Sequence, residues 1–454
     1  YDMKLRNLLF LPIVAYGCMA SAAIIPRDQA KSRVLEFLAK PMAKGMMRAQ
    51  SGLRGSSLRE VISADSAYYI FNVGQRGFVI ASASDRTQPV LGYSDNGTFS
   101  VSGMPVQLRL WLQRLKEGVR AMETGTVALS KRAQTVSATP RPTRNAIPAL
   151  VTSKWNQGAP YNLLCPYYKD EKTGEMTTGD NRSATGCVAT AMSQVMYYWK
   201  WPQDSTQVIP GYTSTWNMPR TLDPLPRTKF DWGNMLDTYG DASPDASKIA
   251  VAELMEYVGH SINMGYGPAS GAYGGNCATA LINYFDYNPY LYYAIHDNYT
   301  YDGWEDLIYS ELVKGHPLMM SGDNSDLTGG HEWVCDGYDG NGCFHMNWGW
   351  GGMDDGYFVL TVMSPDNQGI GGSTSSDGYS MSQTIVVGVE PNAGQTADEA
   401  DVRLSLMAVN TPSKTRFTRK DKTVAFTPVF RYDLATPCQY THAYDHKFSL
   451  YNEQ

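Results

Sequence analysis

Beyond residue 22 the chain has no apolar run of the roughly 20 residues that a spanning helix needs, so it is not a polytopic membrane protein. Charge is also scarce. Only 18% of residues are charged, against 43% hydrophobic and 12% aromatic, a composition that excludes intrinsic disorder and a coiled coil. Cysteine is sparse: seven residues, at 18, 165, 187, 277, 335, 343 and 438, an odd number without the spacing of a disulfide framework. At least one thiol should remain free, which in an exported protein points to chemistry. What the chain has in plenty is Gly (42), Tyr (30) and Trp (10), which favour turn-rich, strand-rich structure. Its 454 residues allow about three domains of ordinary size.

The net charge of −6 conceals a split. Residues 23–144 carry 18 Lys/Arg against 8 Asp/Glu, whereas residues 145–454 carry 18 against 35. A basic segment ahead of an acidic body predicts two parts that attract each other. The acidic body also argues against nucleic acid as a partner.

The N-terminus reads as a secretory signal peptide over 1–22. Lys4 and Arg6 precede the apolar run 8–15, and Ala20-Ser21-Ala22 supplies the small-residue cleavage site. This predicts a secreted, extracellular protein. Residues 23–125 read as a small α+β unit. Val34, Phe37 and Leu38 fall at helical spacing, 68–82 alternates as a hairpin around a Gly turn, and Leu108, Trp111, Leu112 and Leu115 mark a helix over 105–123. Residues 126–145 are Ser/Thr/Pro-rich and basic, a linker in which Lys131-Arg132, Arg141 and Arg144 invite proteolysis. The body spans 146–391. From 392 to 454 the pattern turns strand-like, short for a full sandwich, and reads as a partial β-rich extension.

Two local patterns carry chemistry. In Ala184-Thr185-Gly186-Cys187-Val188-Ala189-Thr190, Cys187 opens an amphipathic helix with Val188, Met192, Val195 and Trp199 on one face. A helix N-terminus favours thiolate over thiol and offers N–H groups to an oxyanion. The second pattern, Gly329-Gly330-His331 through Asn347-Trp348-Gly349, predicts a hairpin turning at 339–342, with His331 on one strand and Asn347 on the return. An imidazole can take the thiol proton and later protonate a leaving amine, and an amide carbonyl can orient the ring. An ideal turn pairs Asn347 with Val334, so a bulge would have to bring it to His331. His331, Cys335, Cys343 and His345 are also a two-Cys, two-His set that zinc could use, without the tight spacing of a knuckle.

Cys187 in ATGCVAT, Trp155-Asn156-Gln157-Gly158 followed by Pro160-Tyr161-Asn162-Leu163-Leu164, and the GGH…VCDG…NWGWGG hairpin resemble the streptopain family of secreted bacterial cysteine proteases, which includes the interpain of Prevotella. The resemblance covers about 146–391 and reaches the segments GFVI (77–80) and VLGYS (90–94) of the N-terminal unit. It implies an α+β fold, with a papain-like two-lobed catalytic domain preceded by an inhibitory prodomain, and a zymogen cut in the linker. It implies Cys187 as nucleophile, His331 as general base and acid, Asn347 orienting the imidazole and Trp348 shielding that contact. The Cys187 N–H would form half of the oxyanion hole. Ser321, where the family carries a glutamine, and Asn181, six residues before Cys187, are candidates for the other half. Tyr266, Gly267, Pro268, Ala269 and Ser270 match the loop beside the substrate's second residue, and 369–379 matches the family's mobile C-terminal loop. Glu332 departs from the family, which has a small residue there. Its side chain is expected on the opposite strand face from His331, with a carboxylate close enough to raise the imidazole pKa.

The expected activity is therefore a cysteine endopeptidase acting on protein substrates, host proteins among them, without metal or organic cofactor, and held by its own prodomain as intramolecular inhibitor. Cys187 and His331 are expected to be unproductively placed until the linker is cut. The alternatives are other acyl chemistry on the same pair (a transglutaminase or a cell-wall amidase) and a non-enzymatic adhesin with an aromatic surface.

Overall fold

The structure, a computed structural model, describes residues 24–39, 57–64, 67–85, 87–124, 144–215, 219–296, 299, 301–323, 330–360, 383–394, 405–410 and 431–435. The signal peptide, most of the linker, the 369–379 loop, Cys18 and Cys438 lie outside these residues.

The N-terminal unit runs α1 (Arg27–Ala39), β1 (Leu58–Ala64), β2 (Tyr68–Val73), β3 (Phe78–Ser82), β4 (Val90–Ser94) and α2 (Val106–Thr124). The body follows with α3 (Cys187–Trp199), β5 (Tyr212–Ser214), β6 (Arg220–Leu222), α4 (Asp245–Ser261), α5 (Asn276–Phe285), β7 (Tyr292–Ile295), α6 (Tyr301–Val313), β8 (Leu318–Asp323), β9 (Gly330–Tyr338), β10 (Phe344–Asn347), β11 (Gly356–Phe358) and β12 (Gln383–Val387). Beyond it, β13 (Ser405–Asn410) and β14 (Arg431–Ala435) pair antiparallel. No helix among the described residues is long and apolar enough to cross a membrane.

One ten-stranded sheet, in the order β1-β2-β3-β4-β11-β10-β9-β8-β12-β7, joins the N-terminal unit to the body. The joint is β4 against β11, with Tyr93 opposite Tyr357 and Gly92 opposite Phe358. Aromatic contacts reinforce it. Tyr93 stacks on Tyr357 at 5.3 Å and Trp111 of α2 meets Phe358 edge-on at 5.0 Å. The Ser94 hydroxyl donates to the Asp355 carbonyl (2.6 Å), the Tyr93 hydroxyl to Asp339 Oδ2 (3.2 Å), and the Trp350 indole to Gln107. Strand pairing is thus the clasp between the two parts, where the charge split alone suggested attraction between fields.

Two hydrophobic cores flank this sheet. One is shared by the N-terminal unit and the body, with Tyr93, Trp111 and Leu115 packed with Trp333, Met346, Trp348 and Phe358. The other is internal to the body, where α3, α4 and α5 pack with Met319, Val334 and Val386. Strand β9 therefore lies between α2 on one face and α3 on the other. Its side chains alternate accordingly, Trp333 and Cys335 into the first core and Val334 into the second.

The joint leaves no room for side chains at its narrowest point. A Cβ on Gly356 would lie 2.3 Å from the Tyr93 carbonyl oxygen, whereas one on Gly103 would meet nothing nearer than Met353 Sδ at 3.9 Å. In a Cys187→Ala chain, Gly356→Ala should therefore cost about 2 kcal/mol of unfolding free energy and Gly103→Ala under about 0.5, as read by urea denaturation. Equal midpoints for the two would count against the joint.

Candidate active site

Gly186 precedes α3 with φ of +87°, and a Cβ there would come within 2.8 Å of the Met264 side chain and 3.1 Å of the Ser270 carbonyl oxygen. Glycine is the residue this turn admits. The Gly186 carbonyl accepts from both the N–H and the hydroxyl of Thr190 (3.0 Å each), and Thr185 and Thr190 share a hydroxyl contact at 2.9 Å. These bonds fix Cys187 as the first residue of the helix. The helix is buried on nearly all sides from Cys187 to Tyr197, so the amphipathic stripe read from its spacing is one face of a central helix.

Cys187 is 7% exposed. Burial pushes its thiol up to about 11, and the Glu332 carboxyl adds to the rise, while backbone N–H groups of Glu332, Val188 and Cys187 itself oppose it. The expected thiolate is therefore absent near neutral pH: in the intact chain desolvation outweighs the helix N-terminus.

His331 lies near the start of β9, opposite Gly322 of β8. By strand alternation it shares the face of Trp333 and Cys335, the α2 side, while Glu332 shares the face of Val334 and Cys187. Among the described residues the His331 imidazole makes no hydrogen bond, to Cys187 or to any other group. Burial lowers its pKa. The expected upward shift from the neighbouring carboxylate is thus corrected: Glu332 does point to the opposite face, and its carboxyl sits by the thiol.

The hairpin turns at 339–342 as expected. Asp339 Oδ1 accepts from the N–H groups of Asn341 (2.7 Å) and Cys343 (3.0 Å), and Asn347 pairs with Val334 after a bulge at His345/Met346. The bulge does not carry Asn347 to His331. Its amide instead exchanges hydrogen bonds with Gln194 of α3 (3.1 and 3.3 Å), donates to the Ser153 carbonyl (2.8 Å) and accepts from the Gly349 N–H (3.1 Å). Trp348 is fully buried, donates to the Asp354 carbonyl (3.0 Å) and packs between Trp333 and Phe358. It is part of the core shared with the N-terminal unit and shields no Asn–His contact in this form.

The zinc set does not converge. His345 pairs through Nδ1 with the buried Asp336 (2.5 Å), and Cys335 is a core residue. Of the oxyanion candidates, Asn181 is exposed in a turn. Ser321 pairs with Glu332 across β8–β9 and shares a hydroxyl contact with Thr384. Gln157 escaped the sequence reading although its motif was noticed: its carbonyl accepts from the Thr185 N–H (3.0 Å), two residues before Cys187. Its place in Trp155-Asn156-Gln157-Gly158, which the resemblance groups with the cysteine motif, is the available signal. In the loop 266–270, Gly267 accepts from the Ala184 N–H (3.0 Å) and Ser270 abuts Gly186, while Pro268 and Ala269 are exposed. Tyr266 is corrected. Its ring is buried against Gly259 of α4, in the body's own core, and lines no surface.

Residues 155–358 match the Peptidase C10 family and residues 22–119 the Spi protease inhibitor family. Streptopain of Streptococcus pyogenes is 34% identical over 413 residues, covering 86% of this chain and all of that protein. The thiol protease/hemagglutinin PrtT of Porphyromonas gingivalis is 29% identical over 388 residues, 83% of this chain and 43% of that protein. Among solved structures, a prointerpain A fragment of Prevotella intermedia is 31% identical, with a TM-score of 0.57 over 75% of this chain and 99% of that one.

The Asn347 network is tied to α3 and not to the imidazole, so its loss should register in stability. Asn347→Ala strips partners from Gln194, Ser153 and Gly349 and should cost about 2–3 kcal/mol in urea unfolding of the intact Cys187→Ala chain. Asn181→Ala, on the surface, should stay within about 0.5 kcal/mol.

Proposed function

The chain belongs to the streptopain (peptidase C10) family of cysteine proteases and carries a Spi-type prodomain as a zymogen, and on that premise we propose that Cys187 and His331 are its catalytic pair. The observation that supports this most is that α3, which Cys187 opens, packs directly against β9, which carries His331 near its start. The base lies on the strand that packs against the nucleophile's helix, on the face turned away from that helix.

In the processed enzyme His331 takes the thiol proton, and the Cys187 sulfur attacks the peptide carbonyl. The C–N bond breaks as the imidazolium protonates the leaving amine. Water, deprotonated by His331, then hydrolyses the thioester. The Cys187 N–H at the start of α3 is one oxyanion donor. Gln157, tied by its backbone to Thr185, is a candidate for the other, beside the exposed Asn181 and the hydroxyl-bonded Ser321. Asn347 and Trp348 orient and cover the imidazole once it has turned. Gly267, Pro268, Ala269 and Ser270 border the cleft beside the substrate's second residue.

The domain limits follow: signal peptide to 22, prodomain 23–125, linker 126–145, protease 146–391 and extension 392–454. Secretion through the signal peptide, and host proteins among the substrates, belong to the same reading. Arg144 is anchored by Glu305 (3.3 Å) and Asp306, with its guanidinium over Tyr309, and Ile147 pairs with Tyr338. Processing therefore falls upstream of Arg144, at Lys131-Arg132 or Arg141.

A time course at neutral pH with reductant tests the reading. Wild type should shorten to a fragment beginning before Arg144 and then cleave casein, while Cys187→Ala stays whole. His331→Ala should lose at least about 1,000-fold in peptidase activity, and His345→Ala should keep most of it. If wild type stays whole and inactive even after trypsin nicks the linker, an acyl transferase, an amidase or an adhesin replaces the protease.

A further inference from the structure

Glu332 is a carboxyl in a place that offers it almost nothing. It is 3% exposed, and its Oε2 has no hydrogen-bond partner among the described residues. Its Oε1 is 4.0 Å from Cys277 Sγ, a long contact. The pocket is shaped around it, since a Cβ on Gly274 would lie 2.5 Å from Oε2. The groups that face it are Cys187 of α3, Cys277 of α5, Tyr293 of β7 and the Ser321 hydroxyl beside it on β8, with the Thr384 hydroxyl of β12 behind. No lysine or arginine among the described residues lowers its pKa. The first N–H groups of α5 are taken by the carbonyls of Tyr273 (3.0 Å) and Gly274 (3.1 Å) and hold no carboxylate.

We propose that Glu332 is an acid-stabilised lock on the latent site, holding the thiol-facing place on β9 that a base must occupy for Cys187 to react. The inference rests on the reading of Cys187 and His331 as the catalytic pair. Two adjacent residues of a strand cannot both face α3, so seating the imidazole there requires a local turn-over or one-residue slip of β9 that ejects Glu332. While the carboxyl is protonated, the latent arrangement loses only a weak hydrogen-bonding site. Once ionised, it buries an unpaired charge.

The direction with pH follows from linkage. Burial raises the Glu332 pKa from 4.5 to about 8. A carboxyl released to solvent gives up its proton near the lower value, so between these limits rising pH shifts the balance toward release, by up to about tenfold per pH unit. Acid therefore holds the lock, and neutral to mildly alkaline solution loosens it.

The test uses the full chain in a His331→Ala background, which does not process itself, and reads the rate of Cys187 alkylation by iodoacetamide through peptide mass mapping. Glu332→Gln fills the same space without ionising. The ratio of parent rate to Glu332→Gln rate should rise at least about fivefold from about pH 5.5 to about pH 8.5, the thiolate increase being common to both. Glu332→Ala, with the place vacated, should react at least about fivefold faster than Glu332→Gln at both values. A flat ratio overturns the proposal. So does a falling one, because a carboxylate that stayed beside the thiol would slow the parent. A Glu332→Ala rate equal to that of Glu332→Gln overturns it as well. If Glu332→Ala does not fold, as judged by near-UV circular dichroism, the ratio for the isosteric variant decides alone. Failure of the underlying catalytic reading shows elsewhere, as absence of peptide hydrolysis by the trypsin-processed wild-type chain.

Discussion

A strand can present alternate residues to only two places, and here both places are taken. Strand β9 runs between the prodomain helix α2 and the helix α3 that begins with Cys187. Trp333 and Cys335 are committed to the first, Val334 and Glu332 to the second. Latency rests on that alternation. The imidazole is kept from the thiol by parity, with no need of a plug in the cleft, and the thiol beneath it is left protonated by its own burial.

The parity is held because the prodomain is part of the same sheet. By adding β4 to β11 it completes a core in which Trp111, Trp333, Trp348 and Phe358 are all buried. That core rewards the latent face of β9: turning the strand over would withdraw Trp333 from it. Indole burial of this size outweighs a solvent-exposed ion pair. This explains how the clasp can be strand pairing and rings although the two halves differ so sharply in charge. The field between them assists encounter more than it sets geometry.

Much of this was readable from the sequence where it depended on local patterns. The α2 helix, the 68–82 hairpin, the turn at 339–342 and the placement of Cys187 at a helix start all follow from periodicity, glycine and Asx chemistry. The opposition of Asn347 to Val334 matches an ideal turn, yet it is reached through a longer turn and the bulge at His345/Met346. What escaped were properties set by the partners that fold against a segment. The pKa of Cys187 was misjudged because the dipole of α3 is legible in the sequence and its desolvation is not. The Asn347 amide spends its bonds on Gln194, a residue seven positions into α3 that no spacing rule links to it. Tyr266 reads as a loop aromatic until Gly259 of α4 is seen to leave a slot for its ring. The β4–β11 joint links segments more than 260 residues apart in the chain, which only topology brings together.

The brevity of β11 has a consequence for the enzyme once the prodomain leaves. Removing β1 to β4 turns β11 into the border of the remaining sheet, and a freed border with unpaired N–H and carbonyl groups is a template for self-association. This one measures three residues and begins with glycine. A new molecule seeking to stack there would find too few rungs to hold. The protease can thus shed its inhibitor without trading latency for aggregation.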